Sequence, residues 1–305
     1  MIERAKKQLT ELIAKIQSNK KLSIDLIISE IKEGQYNVFT EISRKKEWVK
    51  LIIFYGKKGF KSQIQGDKTS KLYKDIDETL FGLTLSLGRD ELNEPKKYIG
   101  VDESGKGDFF GPLVIAGFLL NDKNKSQLLG LKIRDSKLLS DNEVKYLAEK
   151  IKDQFEGYFS IVQINPKKYN ELYGRIKNLN HLLAWGHSRC IENLLALHEV
   201  DTAICDQFGD QSYIKSALLE KGKKIELHQS FRAEKFLGVA AASILARNNF
   251  ISWIEAKSKE LKIVIPKGSG ASVPAIAKKI VDNYGKEVLN ELTKSHFKTT
   301  ASILR

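Results

Sequence analysis

From residue 98 to the C-terminus, short apolar segments typical of strands alternate with amphipathic segments typical of helices. The predicted strands are YIGVD, LVIAGFLL, YFSIVQI, TAICD and KIELHQ, and the longest predicted helices are NHLLAWGHSRCIENLLALH and AEKFLGVAAASILARNNFISWIEAKSKE. Alternation of this kind predicts an α/β domain with one central sheet. Ser140 and Glu143 have the S-x-x-E spacing of a capping box, which predicts a further helix beginning near Asp141.

Acidic residues follow three of the predicted strands. Asp102 and Glu103 end the first strand and lead into a glycine-rich turn, and Asp206 ends the strand TAICD. Glu234 comes after KIELHQ in the predicted first turn of the long helix, where an acid can also serve only as a partner of the helix dipole. An Asp-Glu pair before a glycine turn is common at protein surfaces. Acids that recur after further strands, at the edge where open α/β sheets keep their sites, indicate an active site.

Clustered carboxylates suit the hydrolysis of phosphodiesters. Two hard divalent cations, roughly 3.5–4 Å apart, can activate a water molecule and stabilise the leaving oxygen. Carboxylate oxygens are preferred ligands of Mg²⁺ and Mn²⁺. Without metal, the like charges should raise the pKa of some of these acids and make metal binding depend on pH. The sequence therefore predicts Mg²⁺ or Mn²⁺ as cofactor, with two ions during catalysis.

Three segments that contain these acids resemble the active-site segments of bacterial ribonuclease HIII. They are DESGKGDFFGPL, the DQF after a strand and RAEKFLGVAAASILAR, and the similarity extends through IRDSKLLSDNE, NLNHLLAWGH, SVPAIAKKI and HFKTT across residues 97–305. The family pattern Asp-Glu-Asp-Glu falls on Asp102, Glu103, Asp206 and Glu234. Because the related ribonuclease HII has Asp as its fourth acid, Glu234 favours ribonuclease HIII.

The resemblance implies a ribonuclease H-like fold with a central mixed sheet. It also implies an endonuclease that hydrolyses the RNA strand of RNA–DNA hybrids by two-metal-ion catalysis, leaving 5′-phosphate and 3′-hydroxyl ends. The four acids would be both the catalytic residues and the metal ligands, with Asp102 bridging the two ions. Two alternatives stay open, namely ribonuclease HII-like cleavage at single ribonucleotides in DNA and a hybrid-binding protein without catalysis.

The turn after the first strand is the best candidate for a contact that recognises RNA. Gly105, Lys106 and Gly107 resemble the family's substrate-reading tripeptide, and Ser104 lies beside them. Glycines let backbone N–H groups approach a ribose 2′-hydroxyl, the group that distinguishes RNA from DNA. A plain turn between strands would explain the same residues. Lys137 could contact a backbone phosphate, although a polar loop before the next helix explains it equally well.

The first 90 residues show a different pattern. Two amphipathic helices, in the opening segment and in residues 23–33, are predicted to precede a strand meander through NVFTEIS, WVKLIIFYG and FKSQIQG. The hairpin YGKKGFKSQIQG resembles part of the family's TATA-box-binding-protein-like domain. This resemblance implies a small α+β substrate-binding domain at 1–90, a linker at 91–96 and a catalytic domain at 97–305.

Basic residues are concentrated in this N-terminal segment. Between Arg44 and Lys74, ten basic residues stand against two acids, and aromatic residues are interleaved with them. Lysines can pair with phosphates while aromatic rings stack on bases or sugars. A charge run is also typical of a plain solvated surface, and some of the aromatic residues must belong to the core. The predicted substrate contacts in this segment are Tyr55, Lys57, Lys58 and Lys61.

The formal net charge of +13 indicates a polyanionic partner, here an RNA–DNA hybrid. No apolar run approaches the roughly 20 residues that span a bilayer, and the N-terminal segment lacks the apolar stretch of a signal peptide. We therefore expect a cytoplasmic protein without membrane contact, and no clear oligomer seam is visible, which favours a monomer. Cys190 and Cys205 lack metal-site spacing and are expected to be buried small residues.

Overall fold

The computed structural model describes residues 1–19, 22–56, 59–67, 69–77, 79–80, 94–133, 136–206, 208–230 and 232–303. The chain divides into two compact units, Met1–Glu91 and Leu92–Arg305. The predicted division into a substrate-binding domain, a linker and a catalytic domain stays a prediction, and residues 91–93 of the linker lie outside the described residues.

The first unit is an antiparallel sheet packed against helices. Its elements are α1 (Ile2–Ser18), β1 (Ile27–Ile28), β2 (Lys32–Gly34), β3 (Asn37–Arg44), β4 (Glu47–Gly56), β5 (Gly59–Gly66) and α2 (Lys71–Asp77). The strand order is β1-β3-β4-β5, and β2 also pairs with β3. Val49, Leu51 and Ile53 alternate along β4 and share one buried cluster with residues of α1 and α2. Strand alternation places the intervening residues, among them Trp48 and Lys50, on the opposite face of the sheet.

The second helix predicted for the first unit, at 23–33, is wrong. The structure has the short strands β1 and β2 there instead. Asp25 adopts a left-handed backbone conformation with φ of 61°, which interrupts a right-handed helix. Ile27–Ile28 then pairs antiparallel with β3, which supplies backbone partners that the sequence of this segment alone cannot reveal. The opening helix and the three-stranded meander are confirmed as α1 and β3 to β5.

The second unit is built on a five-stranded mixed sheet of order β10-β9-β6-β7-β8. Its strands are β6 (Tyr98–Ser104), β7 (Leu113–Leu120), β8 (Phe159–Ile164), β9 (Thr202–Asp206) and β10 (Glu226–Ser230). β10, β9 and β6 run parallel to one another, whereas β7 and β8 continue the sheet antiparallel. The predicted α/β architecture with a central mixed sheet is therefore confirmed.

Helices surround this sheet. They are α3 (Asp122–Gly130), α4 (Asp141–Gln154), α5 (Pro166–Ile176), α6 (Leu179–Leu197), α7 (Gln211–Ala217), α8 (Leu237–Leu261), α9 (Ser272–Tyr284), α10 (Val288–Leu292) and α11 (Lys298–Ile303), with 3-10 turns at Ser136–Leu138, Gly222–Lys224 and Ala233–Lys235. α4 begins with the predicted capping box, since Ser140 and Glu143 each accept a hydrogen bond from the other's backbone N–H. No helix in the part of the chain that the structure describes is long and apolar enough to cross a membrane.

α6 and α8 pack on opposite faces of the sheet. Gly100 of β6 faces α8, and a Cβ atom there would lie 2.3 Å from the backbone carbon of Gly238. Its neighbours Ile99 and Val101 point the other way and share a buried cluster with residues of α6. Cys190 of α6 belongs to that cluster too, and it is buried and free, as is Cys205 of β9. The prediction of two buried cysteines is therefore confirmed.

The N-terminus of α8 is held close to β6 by a buried carboxylate. Glu94 Oε1 accepts hydrogen bonds from the backbone N–H of Leu237 at 2.8 Å and from the Tyr98 hydroxyl at 2.7 Å. The same hydroxyl accepts a bond from the N–H of Gly238 at 2.8 Å. These bonds satisfy backbone N–H groups that the first turn of a helix leaves without intrahelical partners. They fix the position of α8 relative to the strand that carries Asp102.

Candidate active site

β6 presents its two acids to opposite faces of the sheet, as strand alternation requires. Asp102 is only 6% exposed and lies on the side of α8, where the hydroxyl of Ser243 hydrogen-bonds to it. Glu103 lies on the side of α6, where its Oε2 is 3.0 Å from Nε2 of His187. Each acid is therefore held by a helix on its own side of the sheet.

The parallel strands bring Asp206 beside Asp102. The paired stretch of β6 and β9 ends with Val101 opposite Cys205, and each strand continues by one residue into its aspartate. On its other side, Asp206 pairs with Ser230, the last residue of β10. The carboxyl ends of parallel strands meet at one edge of a sheet, so these aspartates share the edge where α/β folds keep their sites.

Glu234 reaches the same edge from a 3-10 turn. Sequence reasoning placed it in the first turn of the long helix, but Ala233–Lys235 forms a separate turn before α8 begins at Leu237. The preceding Arg232 has a left-handed backbone with φ of 54°, which reverses the chain after β10. The backbone N–H of Ala233 then donates to Oδ1 of Asp206 at 3.1 Å. Glu234 is buried beside it.

Burial and mutual repulsion oppose ionisation of the two aspartates. Burial, followed by the charge of Glu103, raises the pKa of Asp102 well above its ordinary value, and Glu234 adds to the rise. Burial also raises the pKa of Asp206 and is the largest effect; the hydrogen bond from Ala233 and the charge of Lys137 oppose the rise, whereas Glu234 and Glu103 add to it. The acids therefore interact electrostatically as one cluster.

Glu103 behaves differently because it has cationic and hydrogen-bonding partners. Burial raises its pKa, but the hydrogen bond and charge of His187, together with those of Lys106, outweigh burial and lower it. His187 has no exposed surface and its ring packs against Phe208. His187 is not among the site residues predicted from the sequence. Its three- and four-residue spacing from Leu183, Cys190 and Ile191 places it on the buried stripe of α6, which was the available signal.

Two lysine side chains form ion pairs with acids of the cluster. Lys137, in the 3-10 turn Ser136–Leu138, forms an ion pair with Glu234, and Lys106 Nζ lies 3.6 Å from Oε1 of Glu103. The turn that carries Lys137 is anchored because the Ser136 hydroxyl is 2.9 Å from that of Ser243. The side chain of Lys137 is 70% exposed. Its ammonium can therefore leave the carboxylate without disturbing packed residues.

The donor chemistry of the cluster fits divalent cations. Within the described ranges, no group of three or more His, Cys, Asp and Glu side chains is arranged closely enough to enclose a metal ion. The four acids nevertheless present only hard carboxylate oxygens, and cations already lie against two of them, Glu103 and Glu234. Burial, together with the neighbouring acids, raises the pKa of Asp102 and of Asp206, so keeping all four acids ionised requires compensation by further positive charge. Mg²⁺ or Mn²⁺ would supply that compensation.

The glycine-rich turn directly follows the acids. Gly105 has φ of 87°, and a Cβ atom there would lie 2.1 Å from the carbonyl oxygen of Pro112, so only glycine fits. A Cβ atom on Gly107 would meet no atom within 4 Å. Ser104 ends β6 opposite Val114. The two glycines therefore differ, because Gly105 is required by the fold whereas Gly107 leaves open space beside the acids.

The predicted N-terminal contacts belong to the first unit. Tyr55 is the penultimate residue of β4, lies opposite Phe60 and packs against the core cluster of that unit. Lys57 and Lys58 lie outside the described residues. Lys61 is placed in β5 by its backbone, opposite Phe54. The role of these four residues in substrate binding stays a prediction.

Comparisons with known proteins agree with this geometry. Residues 99–300 match the family model described as Ribonuclease HII. A relative named Ribonuclease HIII from Protochlamydia amoebophila is 48% identical over 207 residues, which cover 68% of each chain. Another, from Chlamydia felis, is 41% identical over 239 residues, or 77% of this chain and 79% of the relative.

Solved structures show the same fold. The crystal structure of Bst-RNase HIII in complex with Mn²⁺ is 24% identical, with a TM-score of 0.65 over 97% of this chain and 95% of that one. Aquifex aeolicus RNase H3 is 27% identical, with a TM-score of 0.54 over 93% of this chain and 96% of that one. The predicted ribonuclease H-like fold, preceded by a small sheet-containing TATA-box-binding-protein-like domain, is confirmed. On the strength of the two bacterial relatives, this chain belongs to the ribonuclease HIII family.

Proposed function

We propose that the chain hydrolyses the RNA strand of RNA–DNA hybrids at the cluster formed by Asp102, Glu103, Asp206 and Glu234. The observation that carries the proposal is the meeting of acids from the ends of β6 and β9 with Glu234 from the turn after β10, where burial and mutual repulsion raise the pKa of two of them. Such a cluster is costly in a folded protein unless it binds cations. Membership in the ribonuclease HIII family supports a nuclease with this requirement.

The four acids would hold two Mg²⁺ or Mn²⁺ ions. Bound metal supplies Lewis acidity and lowers the pKa of water, which is the chemistry that phosphodiester hydrolysis requires. Ser243 and the backbone N–H of Glu103 hold the carboxylate of Asp102, the latter at 2.8 Å from Oδ1. His187 orients Glu103 and lowers its pKa, so that this acid stays ionised. These contacts preorganise the oxygen ligands.

Hydrolysis joins a water oxygen to phosphorus and breaks the bond from phosphorus to the 3′ oxygen. The leaving oxygen takes a proton, and the products carry a 5′-phosphate and a 3′-hydroxyl. Lys106 and Lys137, which pair with acids in the structure, are placed to turn to a substrate phosphate. Ser104, Gly105 and Gly107 would place backbone groups against the ribose 2′-hydroxyl.

We further propose that residues 1–90 bind hybrid and that residues 91–96 connect them to a catalytic domain at 97–305. One face of the N-terminal sheet packs on helices, and the other carries Trp48, which is 57% exposed. On the same face, Lys50 lies 4.4 Å from the centroid of the Phe39 ring. Aromatic and basic side chains of this kind suit contacts with sugars and phosphates. Tyr55, Lys57, Lys58 and Lys61 would extend this contact at the β4–β5 hairpin.

A tethered binding domain raises the local concentration of substrate at the nuclease. The net charge of +13 supports a nucleic acid as the partner. We also propose that the chain acts as a monomer in the cytoplasm, without membrane contact. Sedimentation of the purified chain, alone and with hybrid, would test the oligomeric state.

A cleavage assay tests the proposed activity. The full chain is incubated with a hybrid labelled on its RNA strand, with Mg²⁺, with Mn²⁺ or with chelator, and the product ends are identified. We expect metal-dependent cleavage of RNA, and loss of turnover by orders of magnitude in folded Asp206→Asn and Glu234→Gln variants. Normal turnover in either variant would remove that acid from the site. Duplexes with one or four ribonucleotides distinguish hybrid cleavage from cleavage at single ribonucleotides.

A further inference from the structure

Lys294 is a fully buried lysine away from the acid cluster. It follows α10 in the C-terminal segment, and its side chain has no exposed surface. Nζ donates to the carbonyl oxygens of Gly111 at 2.6 Å and Asp108 at 2.9 Å, with a longer contact of 3.5 Å to that of Phe110. Within the described part of the chain, its ammonium hydrogen-bonds only to backbone carbonyls of the 108–111 loop, and it also lies 5.8 Å from the centroid of the Tyr169 ring.

This loop is the direct continuation of the glycine-rich turn. The N–H of Asp108 points at the carbonyl oxygen of Gly105, at 3.4 Å, and the Cα of Gly105 packs against the backbone of Pro112. The start and the end of the segment 105–112 thus meet, and Lys294 Nζ bonds to the carbonyl groups between them. A shift of these carbonyls would be passed to Gly105 and to the turn that it begins.

The C-terminal segment also holds the loop through its backbone. The N–H of Gly111 donates to the carbonyl of Leu292 at 2.9 Å, and that of Lys294 donates to the carbonyl of Phe109 at 2.9 Å. Burial of an ammonium is unfavourable, and it lowers the pKa of Lys294 to about 7. An apolar side chain of similar length would avoid this penalty but would leave several buried carbonyls without donors. The carbonyl contacts account for a lysine at this position.

We infer that Lys294 is a positioning residue that holds the glycine-rich turn in the conformation that recognises RNA. The inference rests on the proposed function of that turn. Within the described residues Lys294 forms no hydrogen bond or ion pair with the four acids, whose partners include Ser243, His187, Lys106, Lys137 and the backbone N–H of Ala233. Its loss should therefore change hybrid affinity and the discrimination between hybrid and DNA, whereas metal binding should not change.

The test uses Lys294→Met in the full chain, which keeps side-chain length and removes the donors. Affinity for an RNA–DNA hybrid and for a DNA duplex of the same sequence is measured in the Asp206→Asn background, where we expect turnover to be lost. KM, kcat and Mn²⁺ affinity are measured for Lys294→Met alone. Ile280→Ala, a buried substitution in α9, controls for reduced stability, and Lys223→Met controls for the removal of charge at an exposed position.

We expect Lys294→Met to raise KM between about 10- and 100-fold and to reduce the preference for hybrid over DNA by a similar factor. Mn²⁺ affinity should stay within about twofold of the parent, and both controls should keep the parent's preference. Lys294→Gln, which keeps two donors without charge, allows the same comparison if the methionine variant does not fold.

Three outcomes would overturn the inference. An unchanged hybrid preference in Lys294→Met would show that the lysine does not set recognition. A parallel loss of Mn²⁺ affinity would show that the loop shapes the acid cluster instead. If the parent itself bound hybrid and DNA with equal affinity, the glycine-rich turn would not recognise RNA, and the inference about Lys294 would fail for that reason. The last result differs from the other two because it appears without any substitution at Lys294.

Discussion

The Nε2 atom of His187 lies 3.0 Å from Oε2 of Glu103, and the imidazole has no exposed surface. An ionised carboxylate can only accept a hydrogen bond, so Nε2 is the donor. A metal ligand held in this way keeps its orientation before the ion arrives. The effect of His187 on metal binding by Glu103 can be tested without any measurement of turnover.

His187→Leu should weaken Mn²⁺ binding by about 10- to 100-fold, the usual cost of losing a hydrogen-bond partner of a ligand. Calorimetric titration of the folded variant with Mn²⁺ measures this directly. His181→Leu is a suitable control because His181 is an exposed histidine on the same helix, α6. Equal Mn²⁺ affinity in the parent and in His187→Leu would show that Glu103 needs no such support.

Asp102 should make the metal-free protein less stable as pH rises. Burial, and next Glu103, raise its pKa well above the ordinary value of 3.8. The folded state therefore binds this proton more tightly than the unfolded state, and the contribution of Asp102 to the free energy of unfolding falls as pH rises above 3.8 towards the raised pKa. Asp102→Asn removes this penalty, so the stability difference between variant and parent should grow with pH.

Denaturant unfolding at several pH values, in chelator and in Mg²⁺, measures that difference. Mg²⁺ should shrink the advantage of Asp102→Asn, because the ion stabilises the parent by binding its folded state. A variant less stable than the parent at about pH 7, in chelator, would contradict the account of charge repulsion.

Substitutions of the two turn glycines should have separate effects. Gly105→Ala should destabilise the fold by at least about 1–3 kcal/mol, the cost of a left-handed backbone in a residue other than glycine. The overlap with the carbonyl of Pro112 adds to this cost. Gly107→Ala should leave stability within about 0.5 kcal/mol, because an added methyl group meets no atom.

Thermal unfolding and hybrid binding together distinguish the two roles. If Gly107 lies against the substrate, Gly107→Ala should weaken hybrid binding while the melting temperature stays near that of the parent. A variant that binds hybrid as the parent does would leave Gly107 as an ordinary turn residue.

Deletion of residues 1–90 should chiefly raise KM, because a tethered binding domain contributes affinity whereas the acids contribute turnover. Every phosphate that the shortened chain no longer neutralises should reduce the slope of log K against log salt by about 0.9 on duplex. Neutralising Lys57, Lys58 and Lys61 together should reproduce part of the change. If Tyr55→Ala folds but binds hybrid more weakly, the result would indicate that Tyr55 stacks on the substrate. If the variant does not fold, the result would indicate that Tyr55 belongs to the core. Unchanged affinity and salt slope after deletion would mean that this segment does not bind substrate.

The sequence was sufficient to predict where the acids meet, because the carboxyl ends of parallel strands must share an edge of the sheet. The capping box before α4 could also be predicted, because it depends only on two residues three positions apart. The helix predicted at 23–33 failed because pairing with β3 decides the conformation of that segment. Such pairing depends on residues elsewhere in the chain.

The contacts that support the site were harder to predict. His187 and Glu103 are 84 positions apart, and Lys294 is 186 positions from Asp108. Helical spacing indicates that His187 is buried but not which residue it contacts, and no sequence pattern indicates the burial of Lys294, because lysine is almost never fully buried. Only the packing of α6 and of the C-terminal segment brings these groups to their partners.

The contact between Gly100 and Gly238 has a consequence for how the site tolerates mutation. A methyl group on Gly100 would lie 2.3 Å from the backbone carbon of Gly238, so even alanine would force α8 outward by about 1 Å to reach ordinary packing distance. That helix carries Ser243 and follows the turn that carries Glu234, so both would move relative to Asp102. The spacing within the acid cluster therefore depends on the missing side chain of Gly100, a residue that contributes no atom to the reaction. Substitutions of Gly100 should inactivate the enzyme although all four acids remain in place.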